Sequence, residues 1–260
     1  MTEKKQSIER RDFLKLAAGA GAVFVSLKAS SKVLASKPAG SSIHQWAMVI
    51  DQNKCEGCGF CTLACRAHND IPPEISWNRV IATCEINGEE VYLARPCMQC
   101  EHAPCVSVCP VGASYYRPDG IVMMDYDLCI GCRYCEVACP YSARAFNWRE
   151  FTEENPAVPT WGEPEVPRRP RGVVEKCSFC YQRIDRGLAM GLTPGVDDEA
   201  TPACVVACPV GCRTFGDLND PESEVSKLVA SHATHQLRAE LGTGPRVYYI
   251  CPTGAEEVST

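Results

Sequence analysis

The chain has 260 residues, 45% of them hydrophobic, and a formal net charge of −6. That apolar content supports a packed core for one large or two small domains and excludes a disordered tail. Nineteen cysteines are far above ordinary usage, and they gather at short fixed spacings that scattered structural thiols would not show.

Residues 1–35 carry the pair Arg10 and Arg11, then Asp12, Phe13, Leu14 and Lys15, then an Ala/Gly-rich apolar run. The run is too short to span a bilayer. With Val33, Leu34 and Ala35 ahead of Ser36, the segment reads as a twin-arginine export signal, and the expected location is the periplasm. An amphipathic arm would need a polar face that the run lacks. Losing this segment removes seven Lys/Arg and three Asp/Glu and moves the charge from −6 to −10, which argues against nucleic acid as a partner. No other stretch approaches the length of a membrane span, so the mature protein is expected to be soluble and to reach a membrane only through a partner. Exported proteins commonly carry disulfides, yet the twin-arginine route moves proteins already folded, often with cofactors inserted. That favours a cofactor for these cysteines.

A polar linker, residues 36–45, is expected to be mobile. Four cysteine groups follow. The first is Cys55, Cys58, Cys61 and Cys65 in "CEGCGFCTLAC". The second is Cys97, Cys100, Cys105 and Cys109 in "CMQCEHAPCVSVCP", with a longer middle gap. The third is Cys129, Cys132, Cys135 and Cys139 in "CIGCRYCEVACP", and the fourth is split into Cys177 and Cys180, then Cys204 and Cys208. C-x2-C-x2-C-x3-C-P is the bacterial ferredoxin pattern for [4Fe-4S] clusters, whose fourth cysteine ligates the other cluster of a pair. One C-x2-C alone would fit a zinc knuckle or a redox dithiol equally well. Four groups, three of them followed directly by proline, point to sixteen ligands and four [4Fe-4S] clusters.

An internal repeat agrees. "MVIDQNKCEGC" and "VMMDYDLCIGC" both place an aspartate, Asp51 or Asp125, four residues before the first cysteine, and "CPVGA", "CPYSA" and "CPVGC" close groups two, three and four. Cys212 falls where Ala113 and Ala143 stand in the other copies, so it reads as a packed small residue and not as a ligand. Cys84 and Cys251 belong to no group and read as buried or idle thiols in preference to a mutual disulfide. His102 and His68 read as packing or supporting residues, and His44, His232 and His235 as linker or surface residues.

The expected fold class is α+β, built of duplicated dicluster ferredoxin modules that are loop-rich around the clusters. An inner module would take residues 87–150, with a strand within Gly120 to Asp125, and an outer module residues 46–86 plus 172–216; the spacing does not force this pairing. Residues 151–171 are a proline-rich insertion that cannot be helix or central strand. It is either an extended surface loop or a docking arm whose Arg168, Arg169 and Arg171 meet an acidic partner. Residues 217–260 read as a C-terminal helical segment and tail, with one outer helix over 224–241 ending at Gly242.

The groups of four, four, four and two-plus-two, with "CEHAPC", "CPVGA", "GDLNDPESEVSKL" and "LGTGPRVYYI", resemble the four-cluster electron-transfer (beta) subunit of the molybdopterin oxidoreductase family. The likeness is greatest to exported members of nitrite, tetrathionate and sulfur-metabolism systems. It implies one cluster on Cys55, Cys58, Cys61 and Cys208, and a second on Cys177, Cys180, Cys204 and Cys65. A third would take Cys97, Cys100, Cys105 and Cys139, and a fourth Cys129, Cys132, Cys135 and Cys109. It also implies a catalytic molybdopterin or multihaem subunit on one side and an integral membrane, quinone-interacting subunit on the other. No Gly-rich nucleotide loop or other catalytic motif is present, so no enzyme activity is expected of the chain alone. A stand-alone periplasmic ferredoxin-type carrier or redox sensor is the alternative, and a disulfide-stapled structural protein a third reading.

Overall fold

The computed structural model describes residues 43–253. The twin-arginine reading and residues 36–42 of the linker lie outside the described residues. Strand β1 (Trp46–Asp51) is apolar without alternation and is buried on both faces, as expected of a strand covered on both sides. Trp46, Met48 and Ile50 enter the main core. Ala47 and Val49 enter a smaller core with Val225 and Ile250.

Other strands in chain order are β2 (Arg79–Ile86), β3 (Glu89–Arg95), β4 (Ser114–Tyr116), β5 (Val122–Met124), β6 (Ala145–Phe146), β7 (Val174–Glu175), β8 (Arg213–Asp217), β9 (Thr234–His235) and β10 (Val247–Ile250). The helices are α1 (Phe60–His68), α2 (Pro104–Ser107), α3 (Tyr134–Ala138), α4 (Tyr181–Ala189), α5 (Ala203–Val206) and α6 (Glu224–Ser231). One sheet has the order β8-β1-β10-β9, and three two-stranded ribbons pair β2 with β3, β4 with β5 and β6 with β7. Beside β1 runs β10, parallel, with Met48 opposite Val247, while β8 is antiparallel with Met48 opposite Phe215. The result is a mixed fold of small helices and short strands.

The C-terminal region departs from the expected long helix. Helix α6 is capped by Ser223, whose hydroxyl accepts from the Ser226 N–H at 3.3 Å, and ends at Ser231. His232 is already extended, with φ −120° and ψ 153°. Thr234 and His235 pair with Ile250 and Tyr249, and the His235 ring stacks on Tyr249. The apolar spacing continued past 231, but the tertiary partner is a strand, and strand pairing overrides a weak helical preference. The run "VYYI" then supplies β10, a central strand of β-branched and aromatic residues, where only a tail beyond the helix was expected. The last linker residues are also fixed: His44 Nδ1 lies 2.7 Å from Asp217 Oδ2, and the Gln45 N–H donates to Asp217 Oδ1 at 2.7 Å.

The proline-rich segment holds no helix or strand, as its prolines require, and turns over residues 156–161, but two of its arginines face inward. Arg168 makes two bonds to the Asp70 carboxylate, at 2.8 and 3.0 Å, and also donates to the carbonyls of Phe151 and Glu153. Arg169 is buried against Glu175 at 3.2 Å, with Trp77 and Asn147 donating to the same carboxylate. A buried carboxylate is tolerated only when paired and hydrogen-bonded. These two arginines are therefore committed within the chain, which overturns the docking-arm reading for both; Arg171 alone stays exposed.

Candidate metal centres

The four cysteine groups share a backbone device. The residue just before the second cysteine is left-handed in every copy: Gly57 (φ 72°), Gln99 (φ 47°), Gly131 (φ 68°) and Phe179 (φ 53°). In groups one and two the first two cysteines line one cavity, Cys55 with Cys58 and Cys97 with Cys100. At Gly57 a Cβ would run into the Tyr92 ring, and at Gly131 into the Gly172 carbonyl, so space as well as φ demands glycine there. The third cysteine is then the second residue of a short helix in all four groups: Cys61 in α1, Cys105 in α2, Cys135 in α3 and Cys204 in α5. Groups one and three enter that helix through a left-handed residue, Gly59 or Arg133, while groups two and four enter it through the extended Ala103 or Pro202. Asp51 and Asp125 each cap a turn into their group, accepting from the N–H of Asn53 and of Asp127 at 3.0 Å.

The structure brings sulfurs together across groups. Cys55, Cys58, Cys61 and Cys208 line one cavity, together with Cys212. Cys97, Cys100, Cys105 and Cys139 line a second. Cys65 is buried among Cys61, Cys177, Cys180 and Cys204, and Asn69 Nδ2 spans Cys65 Sγ at 3.8 Å and Cys180 Sγ at 3.6 Å. Cys135 interacts with Cys129, and Cys109 lies just past α2, which packs on α3. Between sets, Cys61 interacts with Cys65 and Cys204, Cys97 with Cys177, and Cys105 with Cys135. Cys58 and Cys132, in the first and last sets, are exposed, whereas Cys97, Cys100, Cys105, Cys177, Cys180 and Cys204 are buried. A mononuclear zinc site gathers its sulfurs at about 2.3 Å from one ion; among the described residues no three Cys, His, Asp or Glu are gathered closely enough to hold a single ion.

The surroundings suit an anionic iron–sulfur group. Backbone N–H groups point at sulfur: Ser114 to Cys109 at 3.4 Å, Phe179 to Cys177 at 3.4 Å and Cys212 to Cys208 at 3.3 Å. Arg144 is buried and donates to Cys105 Sγ at 3.0 Å and to Ser114 Oγ at 2.6 Å. Arg213, also buried, reaches Cys204 Sγ at 3.7 Å and is held by Asn78 Oδ1 at 2.8 Å. Lys176 is buried between the middle sets, donating to the Val122 carbonyl and, at 2.8 Å, to that of Cys177. Burial pushes the Cys100 and Cys177 thiols up to about 12, and raises Cys65 and Cys204 as well. As free thiols these would keep their protons at neutral pH. Iron supplies the positive charge that makes buried thiolates stable, so the donor set fits the cofactor.

The three remaining cysteines differ from one another. Cys84 on β2 and Cys251 after β10 are both exposed and unbonded to each other, which overturns the buried reading of these two thiols and leaves the idle one. Cys251 Sγ lies 3.3 Å from His235 Nδ1. Cys212 is packed, as expected, but its thiol faces the first cavity, 3.4 Å from Cys208 Sγ. Sharing hydrogen bonds with it lowers Cys55 and Cys208, while Cys212 itself is raised. His68 pairs with Glu165 at 3.2 Å, and His102 is exposed. The sequence reading missed Gln99, Asn69, Arg144, Arg213 and Lys176. Only the arginines left a signal, each standing five residues after the last cysteine of its group.

The turn geometry and the thiol sets define a ferredoxin-like iron–sulfur protein. Residues 89–155 match the family model described as a 4Fe-4S dicluster domain. A selenate reductase subunit of Mesobacillus selenatarsenatis is 45% identical, covering 79% of this chain and 72% of its own. The iron–sulfur cluster-binding subunit of menaquinone reductase from Nitratidesulfovibrio vulgaris is 42% identical, covering 79% and 88%. A polysulfide reductase polypeptide of Wolinella succinogenes is 37% identical, covering 79% and 94%. This chain is a member of the family of iron–sulfur (beta) subunits of the molybdopterin oxidoreductases. It is an electron-transfer subunit and not a catalytic one.

Proposed function

We propose that the chain carries electrons through four [4Fe-4S] clusters held by sixteen cysteines. The sets are Cys55, Cys58, Cys61 and Cys208; Cys65, Cys177, Cys180 and Cys204; Cys97, Cys100, Cys105 and Cys139; and Cys109, Cys129, Cys132 and Cys135. Bound there, the clusters supply one-electron redox chemistry. The chain's own residues fix the thiolates, donate N–H bonds to sulfur and keep water from the two middle sets.

The observation that carries this reading is the succession of electrostatic interactions between neighbouring sets, Cys61 with Cys65, Cys177 with Cys97 and Cys105 with Cys135. Electrons would enter and leave at the ends, where Cys58 and Cys132 are exposed. A relay between fixed partners needs such a row, whereas a diffusing carrier needs only one or two clusters. The four repeats of the turn-and-helix unit, paired as one/four and two/three by the packing of α1 on α5 and α2 on α3, favour duplicated modules with the boundaries given above. The exported location rests on the Arg10–Arg11 segment. A partner that exchanges electrons with quinone fits a chain in which, among the described residues, no helix is long and apolar enough to cross a membrane, and one relative is named as a menaquinone reductase subunit. A catalytic molybdopterin subunit would take the other end.

The test is anaerobic solubilisation of native membranes followed by size fractionation, with cluster absorbance followed on adding a quinol. The relay predicts that the chain migrates with larger subunits and is reduced by quinol only in that complex. Migration alone, with reduction by any small donor, would replace it with the carrier reading.

A further inference from the structure

Five thiols, not four, line the first cavity. Cys212 is 4% exposed, and its Sγ stands 3.4 Å from that of Cys208. The two residues are four apart, with the turn of Pro209–Gly211 between them; Gly211 is left-handed, at φ 60°. Cys208 Sγ already accepts the backbone N–H of Cys212 at 3.3 Å, so as a thiolate it is the acceptor and the Cys212 thiol the donor of the S–H···S bond. The same thiol lines the cavity shared with Cys55, another member of the set. At the equivalent place after group two stands Ala113, which is also buried. Packing therefore needs no more than a methyl group at this position.

We propose that Cys212 is a reserve iron ligand of the first cluster, which in the resting state donates its S–H bond to Cys208 and replaces Cys208 when that ligand is lost. This rests on the cluster assignment above. The exchange is redox-neutral. The iron–sulfur bond to Cys208 breaks and one to Cys212 forms, while the Cys212 proton passes to the released Cys208 thiolate; where Cys208 is absent, that proton goes to water. Cys208 and Cys212 follow one another on a single turn, so the exchange needs a rotation of side chains and no new path for the chain. It would operate at the set whose Cys58 is exposed, where ligands are most open to attack. The resting bond also withdraws charge from a ligand sulfur and so favours the reduced cluster.

The test compares full-length Cys208→Ala, Cys212→Ala, the double variant and Cys61→Ala with the unmutated protein, all purified anaerobically. The readouts are iron per chain, the paramagnetic resonance of oxidised and reduced samples, and the potential of each cluster. The Cys212 thiol is bonded to Cys208 and, among the described residues, has no hydrogen bond to Cys61, so the Cys61 variant shows what ordinary ligand loss looks like: a [3Fe-4S] signal when oxidised, or an absent cluster. The proposal predicts that Cys208→Ala keeps full iron with an altered reduced signal, that the double variant behaves like Cys61→Ala, and that Cys212→Ala keeps full iron with one cluster at a more negative potential. It is overturned if Cys208→Ala already matches the double variant, or if Cys212→Ala leaves every potential unchanged. Unmutated protein lacking the first cluster would instead show up in its own iron count and would sink the cluster assignment itself.

Discussion

The side-chain amide of Gln99 donates to the Cys177 carbonyl at 2.8 Å, while its oxygen accepts the Val122 N–H at 2.8 Å. Gln99 is fully buried, and its left-handed backbone is part of the turn of group two. One side chain thus ties the second cysteine group to the fourth, between the two middle thiol sets. Replacing it with alanine leaves a buried carbonyl and a buried N–H without partners, each costing about 1–3 kcal/mol. Thermal unfolding of Gln99→Ala, followed by cluster bleaching, is expected several degrees lower; an unchanged midpoint would contradict this role.

Arg144 should set the potential of the cluster assigned to Cys97, Cys100, Cys105 and Cys139. It donates to Cys105 Sγ at 3.0 Å from a buried position, and a charge-assisted bond of this kind is worth roughly 1.5–3 kcal/mol. Arg144→Met is expected to make that cluster harder to reduce, by on the order of 60–130 mV for one electron. Potentiometric titration with paramagnetic detection would show one of the signals shifting and the others staying.

The cysteine spacings, the aspartates before groups one and three, and the glycines of the turns were all legible because they answer to local geometry. Gln99 and Phe179, left-handed without being glycine, were not, since the turn at those positions is fixed by partners far away in sequence. The same limit hid β10. "VYYI" has strand character, but its partner β1 lies about 200 residues away, and the apolar spacing of 224–241 pointed to a helix through a region the sheet takes over. Arg168 and Arg169 looked like surface charge because nothing in the sequence marks Asp70 and Glu175 as their partners.

Glu165 pins the proline-rich segment to α1 and α4. Its carboxylate meets Arg183 at 2.6 Å, and His68 and Arg186 each at 3.2 Å. Burial alone would raise its pKa; His68, Arg183 and Arg186 outweigh this and hold it at about 2, against 4.5 ordinarily. A depressed folded-state value means the stabilisation is fully present above about pH 4.5 and is lost as pH falls toward 2. At neutral pH, Glu165→Gln is expected to cost on the order of 2–3 kcal/mol, and this difference should shrink below pH 4.5. Protease cleavage within 151–171, which does not depend on cluster colour, measures it.

Thiol labelling of the native, cluster-loaded protein should find two fast sites. Cys84 and Cys251 are exposed and belong to no thiol set, so a labelling reagent reaches both without displacing a ligand. Mass spectrometry should place maleimide on these two, with Cys58 and Cys132 protected in spite of their exposure because iron holds them. Rapid modification of Cys58 or Cys132 in loaded protein would remove them from the ligand sets.

The central claim is the number of clusters, and iron with acid-labile sulfide per chain counts them directly in anaerobically purified protein. Four cubanes predict about sixteen of each, with magnetically interacting signals on reduction, because neighbouring sets are near enough to interact electrostatically, as Cys97 does with Cys177. About eight of each, with isolated signals, would contradict the four-cluster relay and leave a protein with two clusters.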